Sequence, residues 1–189
     1  ENLMNIRKET EILIEDYTYG KNFTIYFITD GYTALPINSC LNFKFAQDDD
    51  AGILTDGMGC NVPYGNVSKL LISRVNNIVS NIIKSCEQKG TPYIGIIGIE
   101  CVMTGEDKFI INELSPYFAH CNARAVLSTV DENLFELFMS CINGFFSDEY
   151  EEIKTNDLNS VSVVVGSRIK GKVINGIETI ENIDDIDFF

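Results

Sequence analysis

Apolar and polar positions along this chain follow two different periods, and the switches between them outline its elements. "EILIEDY" (11–17) and "FTIYFITDG" (23–31) are β-rich runs parted by a short loop with Gly20, which predicts adjacent strands. Asp30-Gly31 is a turn signal. From Asn38 to Tyr64 the periodicity fades. Turn formers crowd there (Asp48, Asp49, Asp50, Gly52, Asp56, Gly57, Gly59, Pro63), predicting a long functional or mobile loop. Val67, Leu71, Val75, Ile78 and Ile82 then recur at spacings of four and three, marking a helix that Gly90 stops. "TPYIGIIGIECVMT" and "KFIINEL" predict two strands around "GEDK". Asp131 is the expected cap of a second helix, which buries Leu134, Phe135, Phe138, Cys141 and Ile142 and ends at Gly144. The acidic "SDEYEEIKTND" (147–157) has the pattern of a solvated linker, and "SVSVVVGS" and "KGKVINGIETI" that of strands in a further sheet. The chain accordingly divides into residues 1–146, an acidic linker at 147–159, and the start of a small β-rich domain at 160–189.

Composition narrows the function classes. With 189 residues, 45% hydrophobic and 22% charged, the chain is globular and suits one domain or a little more. Its formal charge of −14 opposes an unaided nucleic-acid or anionic-membrane partner. A small anion held by local cations and backbone amides remains compatible with it. No apolar run reaches the ~18 residues of a membrane span. The start, "ENLMNIRKE", has neither an initiator Met nor a signal pattern and reads as a cut from something longer. The six cysteines include no CxxC pair, so reduced thiols in a cytoplasmic protein are expected.

The strongest chemical candidate lies in the strand pair around "GEDK". A two-residue turn at Glu106-Asp107 and a four-residue loop over 105–108 give the same register. Thr104 then faces Phe109, Val102 faces Ile111, and Glu100 faces Glu113. Two directly opposed carboxylates repel unless one is protonated or a cation lies between them. Mg²⁺, a hard ion held by carboxylates and phosphates, fits that description. A register slip or a solvated, merely tolerated pair is the alternative. The chain's one histidine, His120, follows in "SPYFAH" and is read as a surface or packing residue; Cys121 lacks a basic partner and is given no nucleophilic role.

"EILIEDYTYGKNFTIYFITDGYTALP" and "TDGMGCNVPYG" carry a family resemblance that runs over residues 9 to 175. They resemble the phosphoribosylamine–glycine ligases (GAR synthetases), ATP-grasp enzymes of purine synthesis whose second segment reads T-G-G-M-G-x-x-x-P. The resemblance implies an α+β ATP-grasp fold, an antiparallel sheet flanked by helices. The first lobe would be incomplete here, its earlier strands and phosphate-reaching lysines lying upstream of residue 1. Glu15, Asp16 and the backbone of Tyr17 match the hinge that faces adenine, and Asn22 stands where a ribose-binding Glu is usual. Lys44 matches the lysine of a D-H-K motif. Asp56 replaces one glycine of G-G-M-G while Gly57, Met58 and Gly59 remain, and such glycines bring backbone amides close to phosphate. Glu113 matches the metal-binding Glu. Ser115 replaces a metal-binding Asn, Tyr117 an Arg, and His120, Cys121 and Asn122 a D-P-E triplet. Glu100 matches the first metal-binding Glu of other ATP-grasp enzymes, and "NELSPY" resembles their N-E-x-x-P-R. The implied chemistry is ligation of a carboxylate to an amine with ATP and Mg²⁺ (or Mn²⁺), possible further domains lying in the parent chain. The replaced positions leave two alternatives: a catalytically inactive scaffold for assembly or regulation, and a ligase for a different substrate.

Overall fold

The computed structural model describes residues 14–119 and 121–165. Six strands form one antiparallel sheet: β1 (Lys21–Asp30), β2 (Ala34–Gln47), β3 (Ala51–Val62), β4 (Ile94–Gly105), β5 (Lys108–Ser115) and β6 (Ser160–Val163). Their order across the sheet is β5-β4-β1-β2-β3-β6. Helix α1 (Lys69–Gln88) covers one face; α2 (Asn122–Leu127), α3 (Leu134–Asn143) and the single turn α4 (Phe146–Glu149) accompany the other.

Strand β1 is central, and its alternation feeds both cores. Phe23, Ile25 and Phe27 pack with Ile97, Ile99 and Cys101 against α1. Tyr26 and Ile28 point the other way, into a cluster with Cys40, Cys60, Val126, Leu137 and Phe146. Each of these fully buried apolar side chains contributes about 1.5–3 kcal/mol relative to exposure.

Several expectations are corrected. Ile14–Tyr17 has no strand structure and is exposed, with residues 11–13 outside the described set. The long loop predicted from Asn38 to Tyr64 is instead the β2–β3 hairpin, closed by a 3₁₀ turn at Asp48–Asp50. Asp49 and Asp50 take left-handed backbone there (φ 59° and 57°), a conformation aspartate tolerates better than most residues. In α1 the buried stripe is Leu71, Val75, Val79 and Ile83, not Ile78 and Ile82; Ser68 caps the helix by accepting from the Leu71 amide. The α3 cap is Asn133, not Asp131, and it accepts from the amides of Phe135 and Glu136. Phe135 and Ile142 are exposed, while Gly144 ends the helix in left-handed conformation (φ 75°) as expected.

The acidic stretch 147–157 is not simply solvated. Ile153 is buried in the core, the Asp131 amide donates to the Lys154 carbonyl, and Val130 bridges Thr155. Residues 160–163 extend the main sheet beside β3, whereas "KGKVINGIETI" lies outside the described residues.

The β4–β5 register shows two irregularities. Glu100 does face Glu113, but Cys101 faces Ile111, Val102 faces Ile110 and Met103 faces Phe109. Asn112 is the extra residue on β5 and Thr104 on β4, and the two bulges compensate.

Candidate functional site

On the α2–α3 side of the sheet, one row of polar residues replaces the apolar pattern. Thr24 pairs with Glu100 on one flank and Cys40 on the other, and Glu100 pairs onward with Glu113. Asn42 and Lys44 follow Cys40 on the same face of β2 by strand alternation. Above this row opens a cleft of about 610 Å³ lined by Lys44, Thr55–Gly57, Gly59, Glu100, Glu113, Tyr117, Cys121 and Asn122, among others.

Lys44 extends across to Glu100, its Nζ 2.5 Å from Oε2. The two side chains retain only 25% and 12% of their exposure, so the pair is more strongly coupled than an ordinary surface ion pair. Ser115 Oγ donates to the other Glu100 oxygen at 3.2 Å. Glu113 remains exposed at the rim.

Asn122, at the first position of α2, organises the floor. Its Nδ2 donates to the Tyr26 hydroxyl (2.9 Å) and to Asn42 Oδ1 (2.9 Å) and lies 3.2 Å from Cys40 Sγ. Asn42 in turn donates to Thr24 Oγ1 at 2.7 Å, and the Ala119 amide donates to the same Tyr26 hydroxyl at 3.0 Å. Burial pushes the Tyr26 phenol well above its ordinary range and the Cys40 thiol up to about 12. Cys60 Sγ donates to the Cys121 carbonyl oxygen at 3.8 Å. The neighbouring Cys60 thiol holds Cys121 below the ordinary thiol value, while Cys121 and desolvation hold Cys60 above it.

The glycines have distinct roles. Gly57 has φ +132°, and a Cβ there would stand 3.2 Å from Cys121 Sγ, in a conformation strained for any side chain. At Gly59 a Cβ would meet the Ser162 carbonyl oxygen at 2.5 Å, so glycine is what lets β6 join the sheet. Met58 is absent from the lining; its carbonyl accepts from the Val164 amide at 2.8 Å.

Of the residues singled out in the sequence, the fold brings Lys44, Gly57, Gly59, Glu100 and Glu113 together. It does not bring Glu15, Asp16 and Tyr17 to the cleft; they precede β1 in an exposed segment. Asn22 shares the face of Thr24 but pairs with Val102, beyond the lining. His120 lies outside the described residues. Asn42, Tyr26 and Thr24 went unmarked, and the signal for them was a polar or hydroxyl residue recurring every second position in otherwise apolar strands.

Residues 3–124 match the family model described as "Phosphoribosylglycinamide synthetase, ATP-grasp (A) domain". The chain belongs to that family. It is 25% identical over 186 residues to a phosphoribosylamine–glycine ligase of Brucella melitensis, covering 95% of this chain and 43% of that protein. With the corresponding ligase of Pyrococcus horikoshii it shares 30% identity over 166 residues, 84% of this chain and 36% of the relative. The crystal structure of the Thermotoga maritima phosphoribosylamine–glycine ligase superposes with a TM-score of 0.72 at 16% identity, over 83% of this chain and 39% of that one. The chain therefore has the ATP-grasp fold and spans about two fifths of the length of these relatives.

The donor set in this ATP-grasp domain fits a hard divalent cation in type, since two carboxylates oppose each other across the β4–β5 pair. Lys44 already compensates one of them. Among the described residues, no group of three histidine, cysteine or carboxylate side chains converges as a ready-made metal cage.

Proposed function

We propose that this chain is the ATP-grasp portion of a carboxylate–amine ligase of the phosphoribosylamine–glycine ligase type. ATP would phosphorylate a carboxylate, and an amine would attack the acyl phosphate, forming the C–N bond and releasing phosphate. The observation that carries this reading is the opposed Glu100–Glu113 pair in a cleft also lined by Lys44 and Gly57. The cleft lining carries Asp56, Glu100 and Glu113 against Lys44, an excess of negative charge that disfavours a bare polyphosphate. A divalent ion held by Glu113 and Glu100 would supply the missing charge neutralisation and orient the phosphates. Glycine and phosphoribosylamine are the proposed substrates, after the relatives' names. Further domains would complete the protein, and the reduced thiols support placing it in the cytoplasm.

A non-catalytic scaffold is the second reading, favoured by Lys44 sitting where it satisfies Glu100 without any metal. Calorimetric titration of the full-length protein with a non-hydrolysable ATP analogue, with and without Mg²⁺, separates the two. Magnesium-dependent binding that disappears in Glu113→Gln is expected; no binding to either protein would leave the scaffold.

A further inference from the structure

Beneath the cleft the fold gathers thiols that stand far apart in the sequence. Cys40, Cys60 and Cys121 share one buried cluster, contributed by β2, β3 and the residue that opens α2. Of these, Cys121 is the one that lines the cleft. Gly57 lines it too, and Cys121 Sγ stands 3.2 Å from where a Gly57 Cβ would be. A side chain there would cover the sulfur; glycine leaves it open to the cleft.

Cys60 is fully buried beside it, its Sγ donating to the Cys121 carbonyl oxygen at 3.8 Å. Cys40 is engaged elsewhere: its Sγ donates to Asn42 Oδ1 at 3.3 Å and accepts from Asn122 Nδ2 at 3.2 Å. The sequence offers Cys121 no basic partner, but the fold supplies a second thiol. That thiol is the first cause holding Cys121 below the ordinary value, at about 7. A readily ionised thiol that small solutes can reach, backed by a second thiol, suits oxidation by peroxide.

We propose that Cys121 is a modification site for hydrogen peroxide and that Cys60 resolves the product into a Cys60–Cys121 disulfide. The Cys121 thiolate attacks one peroxide oxygen; the S–O bond forms, the O–O bond breaks and hydroxide leaves. Peroxide is reduced and Cys121 becomes a neutral sulfenic acid. The Cys60 sulfur then attacks the Cys121 sulfur, the S–S bond forms, the S–O bond breaks, and the hydroxyl leaves with the Cys60 proton as water. The order of events follows from the pairing. The foremost cause keeping Cys60 protonated is Cys121 itself, ahead of desolvation, and it disappears once Cys121 has been oxidised.

The test is peroxide treatment of the reduced full-length protein, followed by thiol titration and peptide mapping without reductant. The expected result is the loss of two thiols per chain, a cross-linked peptide pair holding Cys60 and Cys121, and full recovery with dithiothreitol. In Cys60→Ser, dimedone, which traps sulfenic acids, should label Cys121 instead. Cys121→Ser should leave Cys60 reduced at the same dose. A Cys121 that stays reduced while the half-buried Cys86 of α1 oxidises, or one joined to Cys40, would overturn the proposal. The wild-type map alone decides the pairing, whatever the substitutions do to folding. The chemistry needs neither nucleotide nor metal, so its outcome is independent of the ligase reading.

Discussion

Lys44 shows how one side chain can set the state of a site. Its ammonium and the Glu100 carboxylate are both largely withdrawn from water, and Glu113 faces Glu100 across the strand pair. Lys44→Met should therefore cost about 1–3 kcal/mol in urea unfolding at neutral pH, since it strands a carboxylate opposite another. Adding MgCl₂ should restore stability to this variant more than to wild type, because a divalent ion can replace the lost charge. Equal stabilisation of both proteins would mean that Glu100 and Glu113 do not share a cation. Cys121 offers a second residue-level test. The neighbouring Cys60 thiol favours the Cys121 thiolate, so Cys121 should be alkylated with a pH midpoint below that of an ordinary thiol. Cys60→Ala should move that midpoint upward; an unchanged pH profile would remove the Cys60 thiol as its cause.

Among the elements, α1 was legible in existence and extent but not in orientation. Ile78 and Val79, and likewise Ile82 and Ile83, are adjacent apolar pairs, and either member of each satisfies a helical period. Only the partner face on the sheet selects Val79 and Ile83. Val79→Ala and Ile83→Ala should each cost about 2–4 kcal/mol in chemical denaturation, and Ile78→Ala less than about 1 kcal/mol. Comparable costs at Ile78 and Val79 would put the buried stripe elsewhere. The β2–β3 hairpin was hidden for a different reason. Part of one face of β2 is Asn42 and Lys44, polar because it walls the cleft, and this breaks the alternation by which strands are recognised. The Glu100–Glu113 pairing was readable from strand spacing because the two bulges between them and the turn cancel, although the partners between the bulges were shifted.

At the scale of the whole molecule, the cleft draws on segments that no local pattern connects. Lys44 meets Glu100 56 residues away, and Asn42 meets Asn122 80 residues away. The carboxylates and the glycines stood out singly in the sequence. Their neighbours Thr24, Tyr26 and Asn42 did not, because their importance arises only from being brought together. The placement of β1 between β2 and β4 governs when this happens. Pairs β2–β3 and β4–β5 are hairpins between chain neighbours, whereas β1–β4 joins strands separated by that hairpin and the whole of α1. Closing such a distant pair carries a larger loop-entropy cost and comes slowly. During synthesis the protein can thus hold formed hairpins while possessing no pocket at all. The cleft is complete only after Asn122 has left the ribosome and the two halves of the sheet have met.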